Sequence, residues 1–317
     1  MHPVGQLIRR ERLANFSRPA ALLFGFQVAL LVAMVASIAT RAWYEHLWVA
    51  VFLTVVTMVA FLPAVIRGQE RRWWFYYIAG IYAYTLARSF ADNAGFPVRA
   101  EYAAAFDRWL FLGLQPVTFL QERFFDPTDV SLLDWAAVWV HWSFFVVPHV
   151  MAVAVFVGWR RWFPEYVMII VGTMWLGLFF FFLVPTAPPW LASQLGALDQ
   201  VYRIMDFVGG RVSLATYRHF YASLGEPNSV AAVPSIHMAT TYGLYLWARY
   251  RLPAVAPVLL VYAGLMALAL VYLGEHYVFD LLVGIACATA VAVSVESVAP
   301  RVVRRPVTEP AFARLEA

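Results

Sequence analysis

Nine residues late in the chain, Tyr272-Leu273-Gly274-Glu275-His276-Tyr277-Val278-Phe279-Asp280, set an imidazole and a carboxylate between two apolar runs. His276 and Asp280 are four apart, so on a helix they share one face, a turn apart. A carboxylate there accepts a hydrogen bond from one ring nitrogen, fixes the tautomer and leaves the other nitrogen basic. Ionisable groups beside long apolar runs are costly, which marks them as functional candidates. Taken alone, the pair equally suits an interfacial His and Asp reaching water at a helix end. A second stretch, Ala231-Ala232-Val233-Pro234-Ser235-Ile236-His237, complements it. Pro234 suits the first position of a helix, which puts Ser235 and His237 in its first turn. Backbone N–H groups and the positive dipole end make that turn an anion site. Ser235 adds a hydroxyl, and His237 adds a proton donor. Two imidazoles and a carboxylate at helix starts suit phosphoryl transfer: one ring attacks phosphorus, the other protonates the leaving oxygen.

The elements that must hold these residues are membrane helices. Of 317 residues, 62% are hydrophobic and only 13% are charged, a composition outside the range of soluble domains. At about 20 apolar residues per crossing, the sequence predicts an all-α, polytopic transmembrane bundle of about eight spans, near 20–40, 46–66, 73–91, 134–157, 165–184, 235–250, 254–273 and 276–298. Pro63, Pro164, Pro185, Pro234 and Pro253 punctuate their ends. The polar N-terminus carries Arg9, Arg10, Arg12 and Arg18, and the run after it lacks a cleavage pattern, so it reads as a retained first helix. All the basic charge is Arg; Lys is absent. The Arg clusters at the N-terminus, 67–72, 160–161, 249–251 and 301–305 fall in alternate connections. All can therefore lie on the cytoplasmic side with both termini, as expected for a multi-pass plasma membrane protein. That orientation puts His237 and His276 at similar depth on the outer face. The charge pattern and the placement of the two motifs are independent, and they agree.

The outer connections 92–133 and 185–234 are long and of mixed charge. Stretch 101–125 is amphipathic and aromatic and is expected to lie along the interface; 196–224 is similar. No nucleotide-binding loop, internal repeat or nucleic-acid signature is present. Cys287 stands alone, which permits no intrachain disulfide. His141 and His149, two turns apart, read as groups that hydrogen-bond neighbouring helices, with membership of a site as the alternative. His46 reads as interfacial, His219 as solvated, and Glu275 as pointing away from the site toward water.

Pro234-Ser235-Ile236-His237, followed about forty residues later by His276-Tyr277-Val278-Phe279-Asp280, resembles the type 2 phosphatidic acid phosphatase superfamily. The closer resemblance is to the branch that includes fungal inositol phosphorylceramide synthase. Phe182-Leu183-Val184-Pro185-Thr186-Ala187-Pro188-Pro189-Trp190 also resembles that branch. The likeness covers 73–298 as a six-helix core. Residues 1–72 add an N-terminal segment with two further spans, and 299–317 form a cytoplasmic tail. It implies His276 as a nucleophile that forms phosphohistidine, Asp280 as its orienting partner, His237 as general acid and then base, and no metal or other cofactor. The implied substrate is a membrane lipid phosphate, with inositol or a lipid hydroxyl as possible acceptor. The chain departs from the wider superfamily in two places: Leu270 stands where an Arg is expected, and Pro188-Pro189 replaces the Lys…Arg-Pro motif. The phosphate clamp must then come from elsewhere. Arg88, near the outer end of the third predicted span, is the first candidate, the alternative being a solvated pair with Asp92. Arg203, Arg211 and Arg218 follow.

Two other readings compete. A metal-dependent membrane hydrolase would use His237, His276 and Asp280 as ligands. A transporter would use the histidines as a proton relay. Against the transporter stand the lack of a repeat pair and the position of the motifs at span ends rather than the midplane.

Overall fold

Proline and apolar run length decide where the helices begin. The structure, a computed structural model, describes residues 71–90, 96–212 and 229–303. Among these it is all-helical: α1 (Arg71–Phe90), α2 (Tyr102–Leu110), α3 (Pro116–Phe124), α4 (Leu132–Ser143), α5 (Val147–Gly158), α6 (Phe163–Leu183), α7 (Pro189–Gln194), α8 (Ile204–Val212), α9 (Ile236–Arg251), α10 (Ala256–Tyr272) and α11 (Val278–Val303). Pro116, Pro148, Pro164, Pro189 and Pro257 each fall in the first turn of a helix, where the missing N–H costs nothing.

Among the described residues, two unbroken helical segments can cross a membrane by length and composition, Arg160–Leu183 and Val278–Ser297. The expected span 134–157 is two helices, α4 and α5, bent by 44°, which together are long and apolar enough to make a third, broken span. Pro148 explains the break: it has no N–H to give to Phe144, and its ring clashes with that carbonyl. Phe144, Phe145 and Val146 close i→i+3 bonds instead. α10 is apolar but shorter, at 17 residues. Helices also stand at the expected positions of α1 and α9, but neither is long and apolar enough to pass the same test. The spans expected at 20–40 and 46–66, with His46, lie outside the described residues, as do Asp92, Arg218 and His219.

The helix α9 is the hub, packed against α6, α10 and α11, while α1 packs on α6 and α4 on α10. Its C-terminal end is tied by Arg251, whose guanidinium bonds Glu165 at the start of α6 and Glu296 of α11, the latter at 2.7 Å. At its N-terminal end the backbone of α11 comes close. A Cβ on Gly284 would sit 2.6 Å from the Ser235 carbonyl, so any side chain there pushes apart the two helices that carry the motifs. The segments on the motif side are knitted by backbone rather than by strands. Isolated bridges join Arg99 to Thr186 and Thr186 to Ala231, and Gln121 holds the backbone of both Tyr202 and Tyr272.

Candidate active site

Helix α11 begins at Val278, because the Asp107 carboxylate of α2 accepts from the N–H groups of Val278 and Phe279, each at 2.9 Å. A negative cap suits the positive helix end. His276 is therefore in the turn before the helix, not on it as the spacing predicts. The contact with Asp280 forms nonetheless. Asp280 Oδ2 accepts from Tyr277 N–H at 2.9 Å and lies 3.1 Å from His276 Nδ1. The Asp280 side chain folds back over the turn and fixes the tautomer with Nε2 basic. The turn itself is held by the Leu270 carbonyl, which accepts from Glu275 and His276 N–H. Gly274 has φ +77°, and a Cβ there would meet the Tyr202 carbonyl at 2.6 Å.

The second motif differs from expectation by a similar margin. α9 starts at Ile236, so Pro234 precedes the helix and Ser235 is its N-cap. The Ser235 hydroxyl accepts from Met238 N–H at 3.3 Å and the residue is fully buried. That hydroxyl caps a helix and does not line the cavity. The Ser235 N–H donates to the Asp280 carbonyl at 3.0 Å, so the two motifs are joined by backbone. The rings of His237 and His276 then lie 5.7 Å apart, at 60° to each other.

Both rings line a cavity of about 340 Å³. Its other imidazole and charged lining residues are Arg88, His141, His149, Arg203 and Glu275. The apolar wall includes Ile81, Phe144, Phe145, Ile170, Met174 and Phe181. Arg203, one of the clamp candidates, is at the cavity, while Glu275 departs from expectation. Glu275 does not point away to solvent: it faces the cavity and accepts from Arg203 Nε at 2.8 Å. Burial pushes the Glu275 carboxyl up, and the Arg203 guanidinium outweighs this and holds it below the usual carboxylate range. The same guanidinium lies 4.7 Å from the Trp190 ring, and the backbone N–H of Trp190 donates to the Gly274 carbonyl at 3.2 Å. The Pro188-Pro189-Trp190 segment thus flanks the His276 turn. Arg211 is exposed and bonds the Thr128 carbonyl, away from the cavity.

The two α4–α5 histidines part company. Nδ1 of His149 lies 2.9 Å from the Tyr77 hydroxyl of α1, the interhelical bond expected of both. Both histidines line the cavity, but it is the His141 ring that lies 4.5 Å from that of His237. Among the described residues, no group of three or more His, Cys, Asp or Glu is arranged to hold a metal ion.

Asp107 yields a prediction. Burial lifts its carboxyl to about 6, against the two backbone bonds that lower it, and nearby Asp280 adds to the rise. The folded state then binds more protons than the unfolded state between about pH 4 and 6. Stability from this group is present below that window and is lost as pH rises through it. Thermal unfolding in detergent from pH 4 to 7 is expected to show this slope, and Asp107→Asn is expected to flatten it.

The PAP2 superfamily model matches residues 102–294, which takes in both motifs and leaves α1, with Arg88, outside. The chain belongs to the PAP2 superfamily, whose members are phosphatases, and its chemistry is that of a phosphoric ester hydrolase. No curated protein and no solved structure matches it.

Proposed function

We propose that the protein is an integral-membrane lipid phosphatase or phosphotransferase that works through a phosphohistidine. The observation that carries this reading is the Asp280-oriented His276 ring facing His237 across one cavity. His276 Nε2 attacks phosphorus, and a P–N bond forms as the P–O bond breaks. His237 gives its proton to the leaving oxygen. In the second half-reaction His237 takes a proton from water or an alcohol, whose oxygen forms the new P–O bond as P–N breaks. No metal or cofactor takes part in this scheme. The apolar cavity wall supports a substrate with an apolar chain.

Hydrolysis and transfer share the first half. The inositol phosphorylceramide synthase-like reading favours transfer, and the placement of Trp190 beside the catalytic turn supports it. The test is the product formed from a panel of lipid phosphates and phospholipids, with and without inositol or a lipid hydroxyl as acceptor. Acceptor-linked phosphate identifies a transferase; inorganic phosphate alone identifies a phosphatase. Activity that vanishes with strong chelator favours the metal-hydrolase alternative.

The clamp on the non-bridging oxygens falls to Arg203 and Arg88, the two cavity arginines. Ser235 contributes through the helix start it caps, which aims backbone N–H groups at the anion. Arg203→Ala and Arg88→Ala are each expected to lower kcat by about 10²–10³-fold, the usual cost of removing one donor to developing charge. Lys at either position restores only part, since it lacks the planar fork. Arg203→Ala also strands Glu275, so it is paired with Glu275→Gln. A loss that persists in the double variant is loss of the clamp rather than an uncompensated carboxylate. Unchanged kinetics for one arginine assigns the clamp to the other.

In the membrane we place the catalytic cavity on the extracytoplasmic face, both termini in the cytoplasm, and eight spans with α1, α4–α5, α6, α9, α10 and α11 as the core. A cysteine introduced in 196–212 is then labelled from outside by an impermeant reagent and one at residue 69 is not. External labelling at 69 overturns the orientation.

A further inference from the structure

The two-histidine scheme leaves another imidazole beside His237 unused. His141 is only 3% exposed and forms part of the cavity wall. Its ring lies 4.5 Å from that of His237, tilted by 39°. Neither His141 Nδ1 nor His237 Nδ1 has a hydrogen-bond partner among the described residues. Buried polar atoms are nearly always paired, so two orphans side by side on a cavity wall point to a ligand that pairs them. The groups facing His141 come from three other elements: His237 of α9, Glu275 and His276 of the turn before α11, and Arg203 of the segment before α8. The Phe145 ring, in the turn after α4, lies 6.4 Å from that of His141 and is apolar. The capping box of Ser131 and Asp134 fixes the start of α4, and the Tyr272 hydroxyl bonds Asp134, so the helix that presents His141 is anchored to α10.

Direction follows from the geometry of displacement at phosphorus. Entering and leaving atoms lie on opposite sides. With His276 on the attacking side, His237 is on the leaving side, and His141 lies against His237. Resting on the phosphotransfer reading above, we propose that His141 hydrogen-bonds the oxygen that leaves and then the water or hydroxyl that enters. The proton balance stays with His237, which gives one proton as the P–O bond breaks and regains one as the new P–O bond forms. His141 exchanges no net proton; it holds the oxygen in line and shares its changing charge.

The test uses the full chain in detergent or vesicles and compares two phosphates with the same apolar chain, one an alkyl ester and one an aryl ester. An alkoxide needs help to leave and an aryl oxide needs little. His141→Phe is expected to shift the alkyl-to-aryl ratio of kcat/KM at least ~10-fold against the alkyl ester. His141→Gln, which keeps a polar group, is expected to shift it less. The ratio is taken within one preparation, so it does not depend on how much of a variant folds. A ratio within about twofold of wild type in both variants overturns the proposal, because a residue that holds the leaving oxygen cannot be indifferent to it. A wild type that forms no phosphoenzyme sinks the phosphohistidine scheme instead, and the ratio still decides whether His141 serves the leaving oxygen.

Discussion

Replacing His276 with alanine is expected to remove activity down to background, a loss on the order of 10⁴-fold or more, as for nucleophiles in other covalent mechanisms. The reasoning is positional. Asp280 is fully buried and its Oδ2 meets Nδ1 of His276 at 3.1 Å. That bond commits Nδ1 as the donor and leaves Nε2 as the only ring nitrogen able to attack. No other imidazole in the cavity has a carboxylate hydrogen-bonded to it among the described residues, so none can take over with the same tautomer. Asp280→Asn is expected to keep the fold and lose about 10²–10⁴-fold, since an amide can present its N–H and stabilise the wrong tautomer. Because Asp280 also accepts from Tyr277 N–H, the variant is checked by its thermal unfolding midpoint. A large loss of rate with an unchanged midpoint assigns the effect to chemistry.

For His237→Ala the size of the loss depends on the substrate. As general acid, His237 is worth about 10²–10⁴-fold when the leaving group is an alkoxide and little when it is an aryl oxide. In a single-turnover burst, which isolates phosphoenzyme formation, His237→Ala is expected to lose that factor on a lipid phosphate. On an aryl phosphate it should remain within about tenfold of wild type. Steady-state rates fall on both, because the second half-reaction still needs the base. Equal burst losses on the two substrates would remove the acid assignment. His237 has Phe144 at 4.5 Å on one side and His276 at 5.7 Å on another, so the cavity left by truncation is polar and apolar in part. A His237→Gln variant that behaves like the alanine argues against a packing effect.

Residues joined by short-range geometry are legible in the amino-acid sequence. His276 and Asp280 meet because four positions separate them, and they meet even though His276 lies just outside the helix. The helix positions follow from apolar runs and prolines. The break between α4 and α5 is written in Pro148, yet the surrounding run of apolar residues masks it as a single span. The rest of the site is assembled by tertiary packing. His141, Arg203 and Glu275 come from α4, the segment before α8 and the turn before α11, and nothing in their local sequence says that they share a cavity. Glu275 illustrates the difficulty: an acid next to a catalytic-looking histidine reads as solvated until Arg203, 72 positions away, is placed beside it. Ser235 illustrates a different difficulty. Its type and position suit an anion ligand, but the same hydroxyl is what an N-cap requires, and the helix claims it.

The central claim is that the phosphoryl group passes through His276. The full-length protein, mixed briefly with a phosphoryl-labelled lipid phosphate and quenched in alkali, which preserves phosphohistidine, can be digested and its labelled residue located. The account predicts label on Nε2 of His276, absent from His276→Ala and still formed from an aryl phosphate in His237→Ala. Label on His237 or on a residue outside the cavity, or product formed at the wild-type rate with no labelled histidine at any quench time, would contradict it.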